Sequence, residues 1–394
     1  MSCNHIYFDH GATTFVRPEV IAKMLPYFGL SYGNPSSIYN LARSAKHAVD
    51  SARATIAECI NAKADEIYFT GCGSESDNWA LKGVLSANKK KGNHIITSAI
   101  EHHAIISTCE YLEKQGYEVT YVPVDEFGMV NPADIEAAIT DKTVLISVMF
   151  ANNEIGTIEP VKEIGEIAKK HNIYFHTDAV QAVGHIPVDV EDMNIDLLSM
   201  SAHKFNGPKG IGALYIKKGV KIDNLIHGGG QEKSKRAGTE NVPSIVGMAE
   251  ALRLACLEME EHNKKLIEYR DKIIAEIQQT IPYVKLNGHP TKRLPGNVNF
   301  SFNYIEGESL LLSLDLKGIS ASTGSACASG SLDPSHVLLG IGLSHEVAHG
   351  SLRITLGYEN ENHEVNYLLQ VLPEIVEKLR AMSPLYENVL KENK

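Results

Sequence analysis

Lys204 stands in Ser201-Ala202-His203-Lys204-Phe205-Asn206-Gly207, after the apolar run Ile195-Asp-Leu-Leu-Ser-Met200 and at the start of a glycine-rich turn. A lysine flanked by small polar residues at a strand end can present its amine to a cofactor; the plain alternative is a surface lysine in a Gly/Pro turn. Three other clusters bear on that choice. Asp178 lies about one strand–helix step earlier, in Phe175-His176-Thr177-Asp178-Ala179, and His102 follows a still earlier strand in Glu101-His102-His103. Gly71-Cys72-Gly73-Ser74 is a small-residue turn ahead of a helical segment. Such a turn directs unpaired backbone N–H groups and the helix dipole at an anion. Pyridoxal 5′-phosphate needs these four things: an amine for a Schiff base, a carboxylate for the pyridine nitrogen, a flat ring to stack, and a phosphate cradle.

The elements that must position these residues alternate in type. Strand-like runs at 67–70, 94–98, 117–122, 143–150, 173–176 and 195–200 are separated by helical stretches such as 75–85, 103–115, 132–139 and 161–170. That alternation predicts an α/β fold with a largely parallel sheet covered on both faces, whose ligands bind at the carboxyl ends of the strands. The polar clusters fall at those ends, including Asn152-Asn153-Glu154 and Asp178-Ala-Val-Gln181. A long helical region at 244–280 reads as the join to a smaller second domain, 262–394, of α+β texture.

Ser201-Ala-His203-Lys204, Glu101-His102-His-Ala, Asn152-Asn153-Glu154-Ile155-Gly156, Asp178-Ala-Val-Gln181, His227-Gly-Gly-Gly-Gln-Glu232, Arg236-Ala-Gly238-Thr239 and Ser325-Ala326-Cys327 together resemble the motifs of cysteine desulfurases. These are fold type I pyridoxal-phosphate enzymes of the class V aminotransferase superfamily. The likeness runs from Tyr7-Phe8-Asp9 to about Leu379, and the small-residue segment around Cys327 resembles the long-loop, iron–sulfur and nitrogenase-linked branch. It implies a large cofactor-binding domain at 15–261 with a mainly parallel seven-stranded sheet. It implies a small domain from 1–14 and 262–394 that carries the catalytic-cysteine loop.

The resemblance also implies residue roles. Lys204 forms the Schiff base and takes the substrate Cα proton; Asp178 pairs with the pyridine nitrogen; His102 stacks on the ring and shuttles protons; Asn153 and Gln181 flank the ring hydroxyl. Gly73, Ser74, Ser201 and His203 hold the phosphate, and Thr239 reaches it from the partner of a homodimer. Asn34 and Arg353 hold the substrate carboxylate. Cys327 takes sulfur from L-cysteine as a persulfide, leaving L-alanine, and passes it to an acceptor such as an iron–sulfur cluster scaffold. Two departures are visible: Cys72 replaces a usual glycine in the phosphate turn, and Gly73-Ser74 replaces the commoner Ala-Thr.

Other function classes fare worse. The net charge of −11 argues against nucleic acid or an anionic membrane surface as a partner. No apolar run reaches the roughly 18–20 residues that span a bilayer, and the N-terminus lacks the regions of a signal peptide, so a cytoplasmic setting is expected. The six cysteines include no Cys-x-x-Cys pair, and no metal is expected. His345-Glu-Val-Ala-His349 matches the zinc-protease motif, yet a glycine follows at once and a strand-like run closes the helix early. An aminotransferase would not need Cys327; a selenocysteine lyase shares almost every other residue.

Overall fold

The structure, a computed structural model, describes residues 5–323 and 334–387. Cys327, Cys3 and the end of the C-terminal tail lie outside the described residues.

In chain order the strands are β1 (Ile6–Tyr7), β2 (Ile67–Thr70), β3 (His94–Ser98), β4 (Glu118–Val122), β5 (Thr143–Ser147), β6 (Tyr174–Asp178), β7 (Leu197–Ser201), β8 (Gly212–Ile216), β9 (Val284–Leu286), β10 (Asn297–Phe302), β11 (Ile319–Ser320) and β12 (Ser351–Thr355). Seven of them form one sheet in the order β2-β8-β7-β6-β5-β3-β4. The β7–β6, β6–β5, β5–β3 and β3–β4 pairs are parallel, and β8 alone runs antiparallel to its neighbours β7 and β2. The expected α/β sheet is therefore present.

Alternation of side chains along each strand builds a core on either face. Ile96, Ile146, Leu198 and Ala213 join one cluster with the helices Asn40–Cys59 and Val242–Leu257. Ile95, Leu145, Leu197 and Leu214 join another with the helices Gly73–Ala87 and His103–Lys114. The helix Asn40–Cys59 buries Ala42, Ala45, Val49, Ala52 and Ile56, a stripe of three- and four-residue steps whose small side chains bring it close to its neighbour.

A separate core is made by the antiparallel sheet β12-β10-β9, the β1–β11 pair, and the helices Met259–Thr280, Gly307–Asp315 and Asn362–Ala381. Ile6 and Phe8 belong to this core, although they open the chain. The long helical region expected over 244–280 is made of two helices that meet at Glu258. The first is buried along much of its length, whereas the second is amphipathic and faces the other core. Glu258 receives both arms of the Arg17 guanidinium at 2.5 and 3.2 Å, which holds the break in place.

Arg53 and Glu232 form a buried bidentate pair at 2.7 and 2.6 Å, and Glu232 also accepts the Phe69 amide at 2.8 Å. A buried pair stripped of one partner costs about 3–5 kcal/mol. This anchor holds Glu232, Lys233 and Ser234 in the left-handed region, at φ of 45°, 58° and 64°. The tight turn that results leads into Arg236 and Thr239.

Candidate active site

Strands β7, β6, β5 and β3 are adjacent in the sheet, and their carboxyl ends open into one cavity of about 400 Å³. β7 ends at Ser201, and one tight turn, Ala202–Lys204, carries the lysine over the sheet edge. Lys204 Nζ donates to the carbonyls of Gly11 and Ala12 at 2.6 and 2.9 Å. β6 ends at Asp178, whose Oδ1 accepts the Val180 amide at 3.0 Å. Beyond β3, His102 caps the helix His103–Lys114, with Nδ1 accepting the Ala104 amide at 3.1 Å. Burial holds His102 below the ordinary histidine range, opposed by Asp178. The ring is thus neutral near pH 7, with its proton on Nε2.

The small-residue turn after β2 completes the wall. Gly73 opens a 15-residue helix whose cap residue, Cys72, makes no side-chain bond to the first turn. A Cβ on Gly73 would stand 2.8 Å from Val180 Cγ2, so a larger residue here would have to displace that methyl group of the loop after β6. A free helix start, a lysine amine, a buried carboxylate and a neutral imidazole around one cavity fit pyridoxal 5′-phosphate.

Asn153, Gln181, Ser201, His203, Ser74 and Arg353 also line the cavity. Gln181 Nε2 donates to the Gly11 carbonyl at 3.0 Å, and His203 Nδ1 lies 3.1 Å from Thr13 Oγ1. Burial pushes the His203 pKa down to about 4. The Arg353 guanidinium is buried and oriented, donating to the Asn153 carbonyl at 3.0 Å and to Asp9 at 2.8 Å. Asn34 and Thr239 do not line the cavity. Both are exposed, and Asn34 Oδ1 accepts the Ser36 amide at 3.0 Å. His345 and His349 sit on a helix of five residues, and among the described residues no group of three His, Cys, Asp or Glu is disposed to hold a metal ion.

The family model described as Aminotransferase class-V matches residues 6–368. The chain belongs to the class-V aminotransferase family. The Cysteine desulfurase IscS of Clostridium botulinum (strain Hall) is 62% identical over 388 residues, covering 98% of each chain. The Cysteine desulfurase IscS of Methanosarcina thermophila is 61% identical over 380 residues, covering 96% of this chain and 94% of its own. Among solved structures, a NIFS-like protein superposes with a TM-score of 0.90 at 39% identity, covering 95% of this chain and all (100%) of the other. The structure of SspA in complex with cysteine superposes with a TM-score of 0.79 at 38% identity, covering 89% and 98%.

Sequence reasoning assigned no role to the other carboxyl groups of this class-V site. Asp77, Glu101 and Glu154 line the cavity beside Asp178, each almost fully buried. Burial raises all four pKa values, and for Asp77 the nearby Asp178 adds to the rise. His176, with its pKa pushed down to about 3 by burial, bonds Ser147 on β5 at 2.9 Å and Ser199 on β7 at 3.0 Å. It ties three strands together beneath Asp178. Its Nε2 is 3.7 Å from Asp77 Oδ1. The available signal was His176 two positions before Asp178, which puts both side chains on one face of β6.

Glu101 gives a pH prediction. Its pKa is pushed up to about 8 by burial, against the bonds Oε1 accepts from Ser98 Oγ and the Met149 amide. Between the ordinary value of 4.5 and about 8, the folded protein keeps a proton that the unfolded chain has lost. Stability from this group is therefore full below about 4.5 and declines as pH rises through about 8. Glu101→Gln retains the accepting oxygen and cannot ionise. The fall in Tm from about pH 5.5 to about 8.5 should be smaller in that variant than in the parent protein. Equal falls would refute the assignment.

Proposed function

We propose that this chain is a pyridoxal-phosphate-dependent cysteine desulfurase. It takes sulfur from L-cysteine, releases L-alanine, and passes the sulfur through Cys327 to an acceptor protein. The observation that carries the reading is that Lys204, Asp178 and His102 share one cavity whose walls also fasten both ends of the span containing Cys327. Ser322 exchanges two backbone hydrogen bonds with Arg353, and the Ser335 hydroxyl donates to Glu154. Cys327 is five residues past Ser322, so an extended chain carries it at most roughly 17 Å from that anchor.

Bound here, pyridoxal 5′-phosphate supplies an electron sink for the charge that develops as the substrate's bonds break. Arg353, oriented by Asp9 and the Asn153 carbonyl, receives the substrate carboxylate. The Lys204 amine moves the proton at the substrate Cα. Asp178 would keep the ring nitrogen's proton, and His102 would stack on the ring and give or take a proton at the substrate sulfur. Asn153 and Gln181 would flank the ring hydroxyl, and Gly73, Ser74, Ser201 and His203 would hold the phosphate. The Cys327 thiolate attacks the substrate sulfur: the S–S bond forms, the Cβ–S bond breaks, and Cβ gains a proton. The balance is L-cysteine plus enzyme thiol giving L-alanine plus enzyme persulfide.

The functional unit in this reading is a homodimer. Large apolar side chains are exposed at Leu25, Phe28, Leu30, Tyr32, Ile38 and Tyr39, with Leu30 81% and Ile38 92% accessible. So dense an apolar stretch supports burial against a second copy. Thr239, exposed and away from its own cavity, then completes the phosphate site of the partner, and Asn34 joins Arg353 in holding the substrate carboxylate once the dimer forms. The proposed setting is the cytoplasm, where Cys59, Cys72, Cys109 and Cys256 remain the free thiols they are here. Among the described residues, no helix is long and apolar enough to cross a membrane. A protein thiol on an iron–sulfur scaffold is the proposed acceptor, with no direct nucleic-acid contact.

The decisive experiment gives the holoprotein L-cysteine without reductant and counts products. One alanine and one protein-bound sulfane sulfur per subunit are expected, with continued alanine release once a thiol reductant is added. No alanine at either stage would overturn the reading.

A further inference from the structure

We propose that Glu154 is a positioning residue for the sulfur-transfer half of the reaction, acting by fixing Ser335, which stands eight residues after Cys327 in the sequence. The inference rests on the reading of Cys327 as the attacking thiol.

Glu154 is itself rigidly held. Its amide donates to Asn152 Oδ1 at 2.8 Å, and its carbonyl accepts from Asn297 and Asn299 of β10 at 3.3 and 3.1 Å. The peptide is thus pinned between the end of β5 and the other core, and the side chain, 4% exposed, has a fixed origin. Its Oε2 accepts the Ser335 hydroxyl at 2.5 Å. That hydroxyl also accepts the amides of Val337 and Leu338, at 3.1 and 3.3 Å. A serine hydroxyl has one proton and two lone pairs, so all three are committed and one rotamer satisfies them. Ser335 thereby starts the helix His336–Gly340 at a fixed place on the cavity wall. The next residue, His336, lines the cavity with its Nε2 2.9 Å from the Glu101 carbonyl.

The two anchors of the span differ in kind. At Ser322 two main-chain bonds to Arg353 make the tie, and the Ser351 hydroxyl donates to the Thr323 carbonyl beside it. At Ser335 the side-chain tie is to the Glu154 carboxyl group, next to the bond between His336 and the Glu101 carbonyl. The hydrogen bonds of Glu154 go to Ser335, Asn152, Asn297 and Asn299 rather than to Lys204, Asp178 or His102, so its loss should fall chiefly on the delivery of the thiol. Glu154→Ala removes the acceptor from a buried hydroxyl, and Ser335→Ala removes the same bond from the other side.

The test follows two signals in single turnovers of the holoprotein: the visible absorbance change on adding L-cysteine, and the appearance of protein-bound sulfane sulfur. In Glu154→Ala and Ser335→Ala, cofactor content and the absorbance change should stay within about 2-fold of the parent, while sulfane sulfur forms about 10- to 100-fold more slowly. The double variant should be no slower than Ser335→Ala, because that substitution already removes the bond lost in Glu154→Ala along with the two bonds from Val337 and Leu338. Glu154→Gln keeps an acceptor oxygen and should recover to within about 3-fold. Sulfane sulfur at the parent rate, equal slowing of both signals, or multiplying effects in the double variant would each overturn the proposal. If Glu154→Ala loses its fold or cofactor, Ser335→Ala decides by the same criteria. Cys327→Ser, run alongside, separates the two claims. Bound sulfane sulfur in that variant sinks the reading of Cys327; its absence supports that reading, and the role of Glu154 then stands or falls on the rates of the other variants.

Discussion

Replacing Cys327 with serine is expected to leave the cofactor's visible absorbance intact and to reduce persulfide formation by at least ~1000-fold. A thiolate is the nucleophile for sulfur, and a serine hydroxyl neither ionises near neutral pH nor forms a stable bond to sulfur. The other described cysteines offer little substitute. Cys109 is buried, and its pKa is pushed up to about 12 by burial. Cys59 and Cys256 are at the ends of the helices Asn40–Cys59 and Val242–Leu257, and neither lines the cavity. Cys72 does line it, as the sole cysteine among the described residues that does so. It belongs to the turn that would cradle the phosphate, where a sulfur-transfer role conflicts with holding an anion. Cys72→Ser is therefore the matched control. It should retain persulfide formation within about 5-fold, while a loss in that variant with full activity in Cys327→Ser would exchange the two roles. The measurement is sulfane sulfur per subunit after one turnover.

Much of this site was legible because it is built at the ends of strands. His102, Asn153, Asp178 and Lys204 each follow an apolar run, and a parallel sheet brings such positions together whatever the details of packing. The rest was not legible because its partners are remote in sequence and lack a local signature. Arg53 meets Glu232 across 179 positions, and Glu154 meets Ser335 across 181. The carbonyls that receive the Lys204 amine belong to Gly11 and Ala12, and no pattern of side chains announces a carbonyl. The break at Glu258 was hidden for a related reason. Helical periodicity continues on both sides of it, and only the switch from one core to the other, fixed by Arg17, shows where the helix must end. Asn34 and Thr239 show a different limit: one chain does not bring them to the cavity, and a second copy is what their proposed roles require.

Lys204→Ala should abolish the visible band expected of a lysine-linked cofactor and reduce alanine formation by at least ~10⁴-fold, because in the proposed reaction one amine both links the cofactor and moves the Cα proton. Lys204 is the one lysine among the described residues that lines the cavity, so no neighbour can take over. Its location is fixed from outside its own strand. Gly11 accepts from Lys204 and from Gln181, and its amide donates to Thr355 Oγ1 at 2.7 Å, which pins the receiving carbonyl to β12. A Cβ on Gly11 would approach Thr355 at 3.1 Å and the Arg353 guanidinium at 3.3 Å. The amine and the Arg353 and Thr355 side chains of β12 are thus registered to one another through a single glycine. Lys204→Arg should restore the positive charge without the band or the activity, since a guanidinium that stays protonated cannot accept the Cα proton. A small exogenous amine added to Lys204→Ala should recover part of the alanine formation, while the same amine added to Cys327→Ser should recover none. An unchanged spectrum in Lys204→Ala would refute its assignment as the linking residue, and rescue of both variants alike would show that the proton and sulfur steps do not divide between Lys204 and Cys327.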